Sequence, residues 1–367
     1  MRIAFSVVKN LERGGGIEKY TYELGCRLVE RGHEVTIFSM GHYGDSQPVV
    51  EGMRVVTVPC IPKASTEKLS AGASAAFAAF KSGGFDVVHC HSVAAGAFGW
   101  LPRLRGQKTV FQMHGIEWQR TRWNRIGIRV LKMLEAASLR SCHAYTAVSQ
   151  TQCDFYQKHA GIEMRYIPTG ADLKRKPARQ EIQKLGLDAD KYILFASRLV
   201  QEKGAQYLIP AFRKLDTDMK LVVAGDAQGA EAFKQQMVEL AGDDSRILFP
   251  GFVGGRLLEE LFSHAAVYVQ PSEIEGLSIA LLEAMSYGNC CLVSDIPENK
   301  EAIDGAGFTF KNKSVDDLHT QLEQLLASSD RRQSIADQAR ERVRCHYNWD
   351  KITDDFEVLY RGVVSAR

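Results

Sequence analysis

Long apolar runs are missing from this 367-residue chain. None approaches the roughly 18 residues that a helix needs to cross a bilayer, so no membrane span is expected. Cysteine is present, eight residues in all, but no Cys-x-x-Cys pair occurs, and the only close pair is the vicinal Cys290-Cys291. That excludes the common zinc spacings and a disulfide framework, and predicts reduced, mostly buried thiols. The first residues, Met1-Arg2-Ile3-Ala4-Phe5-Ser6-Val7-Val8, lack the longer apolar core and small-residue cleavage site of a secretory signal. They read as a first buried strand, and the protein is expected in the cytoplasm. No fixed-period repeat and no low-complexity tract appears.

The length suits two domains, and a hydrophobic share of 45% is that of an ordinary globular protein. A formal net charge of +2 hides an asymmetry. Residues 1–165 hold 21 Lys+Arg against 13 Asp+Glu (+8), and the remainder 25 against 31 (−6). The basic half predicts an anionic partner there, of a kind the charge does not specify.

Short apolar runs alternate with helical patterns almost throughout. Strands are expected at Arg2–Val8, Glu34–Ser39, Arg54–Pro59, Asp86–His91, Thr109–His114 and Ala144–Ser149, then at Tyr192–Ser197, Leu221–Gly225, Ile247–Pro250, Val267–Gln270 and Cys290–Ser294. Ile17, Tyr20, Leu24 and Leu28 recur at helical spacing, and the chain reads as helices from about Val315 to its end. Continuous short apolar runs are what buried parallel strands look like. The alternation predicts α/β architecture, two doubly wound Rossmann-like sheets. A junction is expected near Ile167-Pro168-Thr169-Gly170. The expected division is residues 1–168, residues 169–345, and a C-terminal helix, 346–367, returning to the first domain. In open α/β sheets ligands bind outside the carboxyl ends of the strands, so the site is expected in a cleft where two such edges face each other.

Four segments carry chemistry. The first is Pro271-Ser272-Glu273-Ile274-Glu275-Gly276-Leu277-Ser278-Ile279-Ala280-Leu281-Leu282-Glu283-Ala284-Met285. Glu275-Gly276-Leu277 is expected to open a helix at a strand's carboxyl edge, where a helix N-terminus favours an anion and a carboxylate can accept from sugar hydroxyls. Glu283, among Leu281, Leu282, Ala284 and Met285, needs partners of its own. The second is Arg198-Leu199-Val200-Gln201-Glu202-Lys203-Gly204, with two cations spaced to grip a diphosphate. The third is Gly14-Gly15-Gly16-Ile17-Glu18-Lys19, whose glycines let backbone N–H groups approach a ligand. It is neither a dinucleotide fingerprint, since Lys19 stands where the last glycine belongs, nor a P-loop, since no Gly-Lys-Ser/Thr follows. The fourth is His114-Gly115-Ile116-Glu117, with a histidine able to donate to a sugar oxygen. His89 and His91, on the preceding strand, are read as packing residues.

Glu275 and Glu283 match the E-x7-E motif, set in P-S-x-x-E-G-L-x-x-x-x-L-E-A-M and followed by Gly288. On these residues the chain resembles the retaining glycosyltransferases of the GT-B fold, family 4 (glycosyltransferase group 1). The resemblance implies that Glu275 contacts donor-sugar hydroxyls and Glu283 the ribose, and that Arg198 and Lys203 bind the donor phosphates. It implies that Gly15 and Gly16 approach those phosphates and that His114 contacts the donor sugar. Gly225, Phe252 and Val253 fall at donor-side loops, with the base held through main-chain groups, and Gly276, Leu277 and Ser278 complete the donor set. One departure is visible: the family commonly has Pro-Asn-Gly at the junction, and here it is Pro168-Thr169-Gly170. Trp349 and Tyr360 resemble the family's final helix.

The activity so implied is transfer of a hexose, with UDP-hexose expected ahead of GDP-mannose, to a glycan or lipid-linked acceptor. It uses no metal or cofactor, and no nucleic-acid partner is expected. No nucleophile is placed as double displacement with two flanking carboxylates would need it, and the resemblance implies front-face substitution. Residues 118–140 hold Trp118, Arg120, Arg122, Trp123, Arg125, Arg129, Lys132 and Arg140 against one acid, Glu135. Such a segment lies on an anionic membrane, placing the protein at the inner face, or binds an anionic lipid-linked acceptor, or is a solvated helix face. Three rival readings stand beside the transferase: a GT-B nucleotide-sugar epimerase or hydrolase, a non-catalytic nucleotide-sugar-binding protein, and an NAD-linked oxidoreductase, the last disfavoured by the missing G-x-G-x-x-G.

Overall fold

The computed structural model describes all residues except 12–14, 45–46, 64–65, 228 and 367. The chain divides into two compact units, one of Met1–Thr169 with Trp349–Arg367, the other of Gly170–Asn348.

Unit 1 holds eight strands, β1 (Arg2–Val8), β2 (Glu34–Met40), β3 (Val49–Val50), β4 (Met53–Val58), β5 (Val87–Cys90), β6 (Lys108–Met113), β7 (Ala144–Ala147) and β8 (Arg165–Tyr166). Their spatial order is β3-β4-β2-β1-β5-β6-β7-β8. Every pairing is parallel except the β3–β4 hairpin. Unit 2 holds β9 (Tyr192–Ala196), β10 (Lys220–Ala224), β11 (Ile247–Gly251), β12 (Val267–Gln270), β13 (Cys290–Ser294) and β14 (Phe308–Phe310), ordered β11-β10-β9-β12-β13-β14 and parallel throughout. That is the doubly wound order, with its reversal between β9 and β12. The same reversal falls between β1 and β5 in unit 1.

Both faces of each sheet are covered. In unit 2, Tyr192, Leu194, Val222, Tyr268 and Cys291 pack into one core, and Ile193, Phe195, Leu221, Val223 and Cys290 into the other. Period-two alternation thus sends the vicinal cysteines to opposite faces, and none of the eight cysteines forms a disulfide. In unit 1, Ala4, Phe38, Val88, Phe111 and Met113 face one way. Ile3, Phe5, Ile37, Val87 and Val110 face the other, where helix Trp349–Ser365 lays Trp349, Ile352, Phe356 and Tyr360 on them.

The expected strands all appear, within two residues at each end. The three not foreseen, β3, β8 and β14, are two or three residues long. Among the described residues no helix is long and apolar enough to cross a membrane.

Candidate active site

In unit 2 the loops after β9 and β12 meet at the sheet's reversal. Beyond Ala196 the chain runs through Arg198 into the turn Gln201–Lys203, closed by Gly204. Gly204 has φ +80°, and a Cβ there would stand 1.8 Å from the Pro271 carbonyl oxygen. Only glycine meets both demands. The Glu273 N–H donates to the Glu202 carbonyl at 2.9 Å, so the two loops are joined backbone to backbone. Across this seam Lys203 Nζ donates to Glu275 Oε1 at 2.6 Å, with the side chains only 14% and 9% exposed. Arg198, half exposed, has Glu202 at 3.6 Å. Glu273 accepts from the Tyr207 hydroxyl (2.7 Å) and pairs with Lys313 (2.8 Å).

The helix after β12 begins at Ile279, not at Glu275. Ser278 is its N-cap, accepting from the Leu281 N–H at 3.3 Å, and its hydroxyl donates to Gln270 Oε1 at 2.6 Å. Gln270 continues to Asn299 (2.9 Å), and Asn299 to Ser294. This buried polar chain fixes the loop from behind, and the serine cap explains the late start: Glu275-Gly276-Leu277 stay outside the helix, in the loop before it. Gly276 is buried and Leu277 half-buried. Glu283 lies on the helix, half-buried, with the Ser286 hydroxyl on its carbonyl. Burial, then Cys291, Glu275 and Glu283, raise the Tyr268 hydroxyl, so both carboxylates of the motif bear on one buried phenol.

Gly225 has φ +146°, and a Cβ there would meet the Ser197 carbonyl oxygen at 1.8 Å. Its N–H donates to the Gly251 carbonyl, 2.8 Å. Packing therefore demands this glycine whatever binds nearby. Phe252, just beyond β11, is 63% exposed, while Val253 packs onto the core. Two Asp-x-Asp triplets, Asp188-Ala189-Asp190 and Asp216-Thr217-Asp218, precede β9 and β10 and so lie at the opposite, amino edge of the sheet.

In unit 1 the carboxyl edge carries imidazoles. His91 follows β5 and His114 follows β6. His91 Nδ1 lies 3.1 Å from His114 Nε2, and Thr21 Oγ1 3.2 Å from His91 Nε2. Phe5 stacks on His91, and the Tyr20 ring meets both imidazoles edge-on. His91 is thus a bonded neighbour of His114, which corrects its reading as packing alone. The signal was its place at the strand's end, two residues from His89 on the same face. His89 is fully buried, with Nδ1 2.6 Å from the Tyr360 hydroxyl. Burial, then the Lys68 ammonium, push His114 down to about 3. Burial, then His114, push His89 to about 3, and burial with its two histidine neighbours holds His91 well below the ordinary range. All three are neutral near pH 7.

Of the glycine-rich segment, Gly14 lies outside the described residues. Gly15 is the extended N-cap of helix Gly16–Glu30. Buried Glu18, in its first turn, accepts from the Lys9 N–H at 3.1 Å, and its Oε2 stands 2.2 Å from where a Gly15 Cβ would be. The positive end of this helix already faces its own carboxylate, which sequence reasoning did not foresee.

The basic segment forms a turn, Glu117–Gln119, and helix Arg125–Ser141, capped by Asn124. Its one acid in the helix turns inward: buried Glu135 accepts from Trp118 Nε1 at 3.1 Å. Burial would raise the Glu117 carboxyl, but Lys68, Arg120 and Arg122 overturn that and hold it at about 2. Outward, Ile126, Val130 and Met133 are 72%, 44% and 72% exposed at i, i+4, i+7, among exposed Arg125, Arg129 and Lys132.

Two family models match the chain: "Glycosyltransferase Family 4" over residues 14–175 and "Glycosyl transferases group 1" over residues 178–342. It is 28% identical to a D-inositol 3-phosphate glycosyltransferase of Xylanimonas cellulosilytica, covering 96% of this chain and 93% of that one. An uncharacterized glycosyltransferase of Methanocaldococcus jannaschii is 26% identical over 95% and 94% of the two chains. In fold it is similar to a sucrose-phosphate synthase from Thermosynechococcus elongatus, with TM-score 0.86 at 22% identity over the whole of both chains. It is likewise similar to HepE of Anabaena in complex with UDP and glucose, with TM-score 0.82 at 18% identity over 99% of this chain and all of that one.

Proposed function

We propose, because the chain belongs to glycosyltransferase family 4 and is a GT-B enzyme of glycosyl transfer from nucleotide sugars, that it moves a hexose from a UDP-hexose with retention, without metal, to a hydroxyl of a glycan or lipid-linked acceptor. The observation that carries this reading is the Lys203–Glu275 pair at 2.6 Å, beside Arg198, at the reversal of unit 2's sheet. Loss of a nucleoside diphosphate develops negative charge on the leaving oxygen, and fixed cations stabilise it most where water is excluded. Lys203 and Arg198 supply that charge, while Glu275 accepts from sugar hydroxyls and Glu283 from the ribose. Their mutual pairing compensates Lys203 and Glu275, since a lone buried charge is costly. The acceptor oxygen bonds to the anomeric carbon on the face from which the diphosphate leaves, its proton passes to the departing phosphate oxygen, and the work of the protein is positioning and charge stabilisation. His114 meets the donor sugar in this reading, and Phe252 and Val253 flank the base.

The test is release of nucleoside diphosphate from a panel of nucleotide sugars in EDTA, with product anomers read by NMR. UDP release from a UDP-hexose with the α configuration kept is expected. Turnover that needs an added metal, or an inverted product, overturns the reading.

The exposed stripe Ile126, Val130 and Met133, bordered by arginines and lysine, supports a second reading, that unit 1 lies on an anionic membrane from which it takes a lipid-linked acceptor. Co-sedimentation with phosphatidylglycerol vesicles is expected and should be lost in Ile126→Glu with Met133→Glu. No binding by the unaltered protein removes it.

A further inference from the structure

We infer that Thr21 and His91 are positioning residues that hold His114 as its Nε2–H tautomer, so that His114 Nδ1 presents a lone pair to a sugar hydroxyl. The inference rests on the reading of His114 as a substrate contact. It follows from counting protons along one line of atoms.

Thr21 Oγ1 stands 2.8 Å from the Ile17 carbonyl oxygen, one turn back on its helix. Two oxygens that close need a proton between them, and the carbonyl has none, so the single hydroxyl proton of Thr21 is committed there. Toward His91, 3.2 Å away, Thr21 offers only lone pairs, and His91 Nε2 must carry the hydrogen. A neutral imidazole has one N–H, so His91 Nδ1 is an acceptor. His114 Nε2, 3.1 Å from it, must then be the donor. His114 is neutral in its turn, which leaves Nδ1 bare.

The surroundings oppose a second proton on either ring. His89, His91 and His114 crowd one another, with His89 and His91 ring centroids 4.6 Å apart and His91 and His114 5.2 Å apart. Tyr20, Phe5 and Tyr360 enclose them, and the Lys68 charge acts against a second proton on His114. Among the described residues none bonds His114 Nδ1, and the residue is not fully buried. The free nitrogen can therefore receive a hydrogen bond from a hydroxyl and cannot give one to a carbonyl or phosphate oxygen. This reverses the direction expected for His114 from sequence, where it was taken to donate.

Nitrogen-15 NMR of histidine-labelled full-length protein at pH 7.5 reads the tautomers directly, and needs no turnover. His91 and His114 are both expected as Nε2–H, with His114 Nδ1 shifting when UDP-glucose is added. A His114 protonated on Nδ1 overturns the relay even if the enzyme turns over normally. Thr21→Val, close in shape, removes the acceptor at the start of the line, while Thr21→Ser keeps it. The valine variant is expected to mix the tautomers of His114 and to lower kcat/KM for UDP-glucose roughly ten-fold, and the serine variant to restore both. Valine and serine variants equal to the parent in kcat/KM, with the tautomer changed only in valine, would show that hydroxyl recognition does not use this nitrogen. If UDP-glucose neither turns over nor moves the Nδ1 signal, it is the substrate reading that fails, and the tautomer measurement still stands.

Discussion

The two units share a strand order and a place for ligands, yet they furnish it in opposite ways. At the reversal of unit 2's sheet the candidate groups are ions, Lys203 with Glu275 and Arg198 with Glu202. At the carboxyl edge of unit 1 they are uncharged imidazoles, His91 bonded to His114. One topology thus carries either a charged or a neutral site, and the difference lies in what reaches each loop end. In unit 2 one loop supplies the cation and the other the carboxylate, and neither is left uncompensated. In unit 1 a helical threonine and a second histidine fix direction without charge. On the proposed reading this matches the tasks: a departing diphosphate needs charge, whereas a hydroxyl needs a partner with a defined lone pair.

The contrast breaks most decisively at the ion pair. Lys203→Ala should lower turnover roughly 10²–10³-fold. A charge-free pair, Lys203→Met with Glu275→Gln, should regain the thermal stability lost on orphaning Glu275 while staying inactive, which separates function from folding. Activity restored along with stability would mean the pair is structural.

A smaller effect is expected at the seam. Gly204→Ala places a side chain at φ +80° against the Pro271 carbonyl, and should destabilise unit 2 by about 3 kcal/mol, read as a lowered urea midpoint. A variant as stable as the parent would show that the loops after β9 and β12 need not touch.

A further effect distinguishes the units by pH. An unfolded histidine titrates near 6.5, but folded His89 only at about 3, so between these values the unfolded chain binds the extra proton. Stability present above pH 6.5 is therefore lost as pH falls toward 3. From His89 alone the loss is about 2 kcal/mol by pH 5, and the lowered His91 and His114 add to it. Hydrogen exchange at pH 7.5 and 5 should show protection falling first in β1, β5 and β6. An equal fall in β9 and β12 would contradict the assignment of the largest acid lability to the buried imidazoles of unit 1.

What could be read beforehand followed local chemistry. Strands such as Tyr192–Ala196 and Cys290–Ser294 are buried on both faces, and such strands are written as continuous apolar runs. Phe308–Phe310, short and preceded by Gly305-Ala306-Gly307, is not, because its place depends on β13 beside it. Lys203 and Glu275 were both visible, but not their bond, which spans 72 residues. The same holds for Thr21 and His91, 70 apart. No role was expected for Glu18 from the sequence, and only the closeness of Gly15 shows that it fills the space before the helix. Residue types announce themselves in sequence, whereas partners depend on tertiary approach.

The helix Trp349–Ser365 has a consequence for the order in which the molecule is made. Unit 2 is a single contiguous segment, but unit 1 is divided, its last helix following all of unit 2. A ribosome therefore delivers every strand of unit 1 first and the cover for Ile3, Phe5, Tyr20 and Val110 last. Until Trp349, Phe356 and Tyr360 emerge, the part of that apolar face not covered by helix Gly16–Glu30 stays open to water and to other nascent chains, while unit 2 can close upon itself. The first half to be synthesised is the last to be finished, and a chain cut short before Trp349 leaves His89 without Tyr360 in an uncovered face.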